Sequence, residues 1–90
     1  MNNRIALEAL VMDLKRVALG YNRNSLVMAK RFYEEALARR REINTSSLKP
    51  YVQKLLNSID SLQNNDNEVI ADKALMLSTL LQNYVRTYSL

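Results

Sequence analysis

The chain has 90 residues, of which 48% are hydrophobic, and its formal net charge is +4. This length predicts a single domain, residues 1–90, and the apolar content excludes a disordered segment. Cysteine and histidine are absent and Gly20 is the only glycine. The composition therefore excludes disulfides, thiolate metal sites, catalysis by Cys or His within this chain, and glycine-rich phosphate-binding loops.

The apolar runs of the sequence are too short to cross a bilayer, and the first residues lack the apolar segment of a signal peptide. With no cysteine framework either, we expect a cytoplasmic protein that does not act at a membrane.

The first predicted helix spans residues 3–19 and ends near Gly20, where a helix C-terminus often places a glycine. Its main apolar stripe predicts a core face, formed by Leu7, Leu10, Val11, Leu14, Val17, Ala18 and Tyr21. A second stripe of Ile5, Met12 and Leu19 recurs every seven residues on the opposite side. One stripe can pack on the chain's own core, whereas two opposite stripes require two partners.

The second predicted helix spans residues 25–43, with Asn24 or Ser25 as its cap. One side is apolar and predicts packing against the core, through Met28, Ala29, Phe32, Tyr33, Ala36 and Ile43. The charged residues occupy the other side, as in a surface helix.

The third predicted helix spans residues 48–62, capped by Ser47 and with Pro50 in its first turn, where a missing N–H is tolerated. Its predicted buried residues are Leu48, Tyr51, Val52, Leu55, Leu56, Ile59 and Leu62.

The last predicted helix spans residues 67–87, capped by Asp66 or Asn67. Its apolar arc is wide, comprising Val69, Ile70, Met76, Leu77, Leu80, Leu81, Tyr84, Val85 and Tyr88. The opposite arc is largely uncharged and includes an exposed Leu75, which favours neighbours on more than one side.

Short connections between helices of similar length predict an all-α, antiparallel four-helix bundle. In an alternative arrangement the first two helices fuse into one rod, because one stripe stays nearly in phase across residues 20–24, namely Leu14, Tyr21, Met28 and Phe32. The poor helix formers in that segment favour the bundle.

Acidic residues offer the one remaining route to catalysis. Asp66, Glu68 and Asp72 lie close together at the start of the last helix, and carboxylates can hold Mg²⁺ or Ca²⁺. Acids in a first helical turn also complement the helix dipole, and we interpret them in this way. Lys73 falls within the apolar arc, and we expect its ammonium group to reach water. The sequence predicts no enzyme, no cofactor and no metal site.

Basic residues are concentrated in the first half of the chain, where nine Lys and Arg oppose five acids, while the second half holds four of each. A nucleic-acid contact is therefore the alternative function, through phosphate binding. Its candidate residues are Lys30, Arg31, Arg39, Arg40 and Arg41. The acids on the same helix favour an ordinary solvated face instead.

The preferred hypothesis is a small, non-catalytic interaction or regulatory module. We expect it to form a homodimer or to bind a helical protein partner through Ile5, Met12 and Leu19, with Leu75 and Ala9 extending the surface.

Overall fold

The computed structural model describes residues 3–88. They form four α-helices: α1 (Asn3–Asn22), α2 (Leu26–Glu42), α3 (Pro50–Asp60) and α4 (Asn67–Thr87). Single turns of 3-10 helix, Thr45–Ser47 and Leu62–Asn64, lie before and after α3. The all-α, four-helix prediction is confirmed.

The helices alternate in direction around a common core. Asn3 at the start of α1 exchanges two hydrogen bonds with the backbone of Asn44, just after α2, at 2.8 and 2.9 Å. Lys15 on α1 donates to Gln82 of α4 at 3.3 Å. The earlier α1 residue Glu8 lines a groove with the later α4 residue Arg86. Helix α1 therefore lies between α2 and α4 and is antiparallel to both, while α3 packs against α2 and α4.

The chain reverses at Asn24 and not at Gly20, so both the fused rod and the predicted helix end are wrong. Helix α1 continues to Asn22, and Asn24 adopts the left-handed conformation with φ of 57°. Asparagine tolerates this region because its short polar side chain imposes little strain. The Ser25 N–H then donates to the Gly20 carbonyl at 2.8 Å, while the Ser25 side chain makes no capping hydrogen bond.

Small residues bring α1 and α2 close together. A β-carbon built on Gly20 would lie 2.8 Å from both Cα and Cβ of Ala29. From this contact the antiparallel register places Asp13 opposite Ala36, one heptad further along each helix. All four residues are buried. Gly20 is thus required for the approach of two helices and does not act as a helix terminator.

The predicted core of α1 is confirmed, because Leu7, Leu10 and Leu14 are fully buried. Helix α3 is shorter than predicted and begins at Pro50, after the extended residue Lys49. Ser47 therefore belongs to the preceding 3-10 turn and does not cap α3.

Helix α4 buries most of its predicted apolar arc, but the buried side is shifted away from Met76 and Leu80. Its predicted arc placed Met76 and Leu80 in the core, but both are exposed, as is Tyr51 on α3. The small residues Ala71, Ala74 and Ser78 are buried instead. The Ser78 hydroxyl donates to the Leu75 carbonyl one turn earlier, so its burial leaves no unsatisfied donor. The other predicted core residues of α4 are buried or half-buried.

Replacing Gly20 with alanine tests the close approach of α1 and α2. Alanine favours a helix over glycine by about 1 kcal/mol, but two of the three nearest atoms at Ala29 are backbone atoms and cannot rotate away. We expect Gly20→Ala to lower the free energy of unfolding by roughly 1–2 kcal/mol, measured by urea denaturation. The Ala38→Gly exchange, at an exposed position of α2, measures the contribution of helix propensity to the free energy of unfolding without a change in packing. A stabilised Gly20→Ala protein would contradict the close packing.

Candidate interaction surface

The second stripe of α1 is an exposed row of large apolar side chains. Ile5, Met12 and Leu19, which we call the α1 stripe, are between 41% and 53% exposed. Their seven-residue spacing keeps them on one side of the helix, opposite the buried leucines. Ala9 lies beside them and is half-buried. The exposure predicted from the sequence is present, whereas a partner for the surface remains a prediction.

Helix α4 forms one edge of the α1 stripe. The Lys15–Gln82 hydrogen bond fixes the register of the two helices. An open groove of about 270 Å³ lies between them, lined in part by Met12 and Val85. Leu75 is 51% exposed and lies two turns before Gln82, at the level of the last turn of α1. Leu75 therefore borders the same surface near Leu19.

The opposite edge of the α1 stripe is held by α2. The guanidinium carbon of Arg16 lies 5.3 Å from the centroid of the Phe32 ring, a cation–π contact that also covers this half-buried aromatic. An Arg16 nitrogen is 3.7 Å from a carboxylate oxygen of Asp13. These contacts hold Arg16 along the stripe.

Positive charge borders the α1 stripe on both sides. Lys15 and Arg16 lie to either side at the height between Met12 and Leu19, and Arg23 follows one turn after Leu19. Glu8, the exposed acid next to the stripe, is paired with Arg4 at 3.0 Å. The α1 stripe is thus an apolar strip with a basic rim.

Asp13 is a buried carboxylate that the apolar pattern of the sequence did not predict. Its side chain is 7% exposed, and its Oδ2 atom has no hydrogen-bond partner. Burial raises the pKa of Asp13, and the nearby charge of Glu35 raises it further, while Arg39 and Arg16 oppose the shift. The sequence feature that indicates the burial of Asp13 is its position midway between Ala6 and Gly20, in a row of small residues spaced seven apart.

The arginine cluster of α2 does not form a continuous basic face. Successive helical residues are separated by about 100°, so Arg39, Arg40 and Arg41 project to three sides of α2. Arg40 is only 20% exposed, lies 3.4 Å from Asp60 and donates to Asn57 at 2.8 Å, which joins α2 to α3. Arg39 pairs with Glu42 at 3.4 Å.

The other two candidate nucleic-acid contacts, Lys30 and Arg31, are exposed on α2. Arg31 pairs with Glu35 at 3.8 Å. Together with the pairing of Arg39 and Arg40, this contact leaves Lys30 and Arg41 as the two members of the set without an ion pair inside residues 3–88.

The acidic start of α4 is organised as a helix cap. Asp66 accepts a hydrogen bond from the Val69 N–H at 3.1 Å, which confirms its predicted capping role. No group of three or more potential ligand residues that could hold a metal ion occurs within residues 3–88. Lys73 is exposed, as expected for a side chain that reaches water.

No family model, curated protein or solved structure matches the chain in comparisons of sequence and structure. In the part of the chain that the structure describes, no helix has the length and apolar character required to span a membrane.

Replacing Asp13 with asparagine tests the cost of the buried carboxylate. Because the folded-state pKa of Asp13 is raised, the folded protein bears a penalty above that pKa, and acidification through it removes the penalty. We expect Asp13→Asn to raise the free energy of unfolding at pH 7 by roughly 1 kcal/mol. Urea denaturation at decreasing pH should show the difference from the native protein shrinking.

The exposed Glu34→Gln exchange provides the control for Asp13→Asn and should change the stability at pH 7 by less than about 0.5 kcal/mol. A clear destabilisation by Asp13→Asn at pH 7 would mean that the attraction of Arg16 and Arg39 outweighs the cost of burial.

Proposed function

We propose that this chain is a small, non-catalytic helical module that binds an amphipathic helix of another protein through the α1 stripe. The observation that carries the proposal is the exposed row of Ile5, Met12 and Leu19 with basic side chains along both edges. A ligand helix would place its own apolar row on the stripe and acidic residues beside Lys15 and Arg16.

The basic rim favours a different protein over a second copy at this surface. A second copy offers the basic rim only one exposed acid beside its own α1 stripe, Glu8, and Arg4 already pairs with it. The other charges along that stripe are again Lys15, Arg16 and Arg23, so the net charge that a second copy brings is positive and opposes association. An acidic amphipathic helix is attracted by the same rim and is therefore the class of partner that this surface fits.

The size of the surface favours reversible binding. Fully burying a side chain of this kind contributes roughly 1.5–3 kcal/mol, and Ile5, Met12, Leu19 and Leu75 are each about half exposed already. Together they would supply on the order of 3–6 kcal/mol before the cost of association. This amount supports a transient adaptor or regulatory contact. The lack of cysteine suits a reducing compartment such as the cytoplasm, where we expect the module to act.

A three-heptad synthetic helix tests the apolar part of the proposal. The probe carries leucine at the first and fourth positions of each heptad and glutamate at the flanking positions, and a matched probe carries lysine there. We expect the glutamate peptide to bind in fluorescence anisotropy, and Met12→Glu to weaken that binding at least ~10-fold. The control Val27→Glu alters a side chain that is 86% exposed and lies on the side of α2 opposite Ala29, away from α1, so this variant should bind the peptide normally.

Equal binding of the glutamate and lysine peptides would overturn the assignment of an acidic partner. Unchanged binding by Met12→Glu, with helicity retained in circular dichroism, would overturn the assignment of the α1 stripe.

The basic rim is tested separately by reversing one charge. Lys15→Glu should weaken the glutamate peptide roughly 3- to 10-fold and reduce the dependence of its Kd on sodium chloride, because one attraction becomes a repulsion. The lysine peptide should gain affinity for the same variant. Lys54→Glu, exposed on α3, is the matched control, and an equal effect of both variants would indicate a non-specific response to net charge.

A further inference from the structure

The outward side of α4 is an exposed helix face without charge over three turns. Residues 74–85 contain no charged side chain. Leu75 and Met76 are about half exposed and Leu80 is 41% exposed, while the neighbouring Thr79 and Asn83 also face solvent. A helix side that faces only water normally carries charged residues, so this composition is typical of a covered surface.

Opposite charges border this uncharged segment at equal distances. Asp72 and Arg86 lie seven residues before and after Thr79, and the heptad spacing keeps all three on one side of α4. All three are exposed, and neither Asp72 nor Arg86 forms an ion pair with another residue between Asn3 and Tyr88. The face is therefore electrostatically self-complementary when it is turned end to end.

We propose that a second copy of this chain binds through this face, with the two α4 helices antiparallel and the two-fold axis at Thr79. Asp72 of each copy then lies across from Arg86 of the other, which forms two equivalent ion pairs. The exposed pair Leu75 and Met76 packs on the turn of the second copy that contains Gln82 and Asn83. Exposed Leu80 borders the contact.

A second copy is the occupant that this charge pattern fits. Two-fold symmetry forms every contact twice. A face with one acid and one base at equal distances from the axis therefore places the acid of each copy across from the base of the other. The uncharged centre introduces no repulsion. The α1 stripe has the opposite character, because its rim is basic on both sides. The two surfaces meet at Leu75, while Met76 belongs to the α4 contact alone and Met12 to the α1 stripe alone, so variants of these two methionines distinguish the two contacts.

Sedimentation equilibrium over a dilution series of the full chain measures this association. We expect a monomer–dimer equilibrium in which Met76→Glu raises the dimer Kd at least ~10-fold, because two carboxylates would enter the uncharged centre. The native Met76 side chain is 52% exposed, so the variant should keep its helicity in circular dichroism. Met12→Glu is the matched control on the α1 stripe and should leave the dimer Kd unchanged.

Exchanging the charges tests the antiparallel register itself. Asp72→Arg and Arg86→Asp should each raise the dimer Kd roughly 5-fold, because each creates two like-charge contacts. The double variant restores opposite charges and should return the Kd to within about two-fold of the native value.

A monomer at all concentrations would overturn the proposal, as would a dimer that Met12→Glu dissociates and Met76→Glu does not. A double charge exchange that is as weak as the single variants would overturn the antiparallel register centred on Thr79.

Discussion

Helices α2 and α4 pack against α1 from nearly opposite sides. This packing determines which α1 residues remain accessible to another molecule. Gly20 and Asp13 face α2, while Lys15 reaches α4, and the fully buried leucines occupy the arc between them. The close approach at Gly20 and Ala29 leaves no room for larger side chains along that contact. One narrow strip of α1 is left to solvent, and the sequence fills it with Ile5, Met12 and Leu19.

Heptad patterns of large residues predicted the four helices and the core of α1 because these features depend on apolar periodicity alone. The same reasoning wrongly placed Met76 and Leu80 of α4 in the core. It did not predict the burial of Ala71, Ala74 and Ser78, because small residues contribute little to a hydrophobic pattern. Gly20 was misinterpreted for a related reason. A glycine that allows a neighbouring helix to approach cannot be distinguished in the sequence from a glycine that ends a helix. The distinction requires knowing which residue packs against it.

The α1 stripe could be identified from the sequence because it lies opposite the core face, whereas its surroundings could not. Arg16 borders the stripe by its position on α1, but the Phe32 ring of α2 that holds it there could not be predicted from the sequence. Conversely, the consecutive Arg39, Arg40 and Arg41 are dense in the sequence but separate around α2, where Arg40 joins that helix to α3. Linear charge density on a helix therefore predicts a basic surface poorly, while residues from neighbouring helices determine the local field.

The signs of the charges divide the exposed apolar surface into two parts with different partners. A basic rim on both sides of the α1 stripe opposes self-pairing and favours an acidic helix, whereas Asp72 and Arg86 at equal distances from Thr79 favour a second copy at α4. If both contacts form, one dimer presents two α1 stripes on a single particle. Each stripe offers only a few half-exposed anchors and so binds weakly alone, but two stripes engaging a partner with two ligand helices bind it far more tightly, because the second contact becomes intramolecular. Because a single α1 stripe binds weakly, dimerisation through α4 has a large effect on the affinity for such a partner.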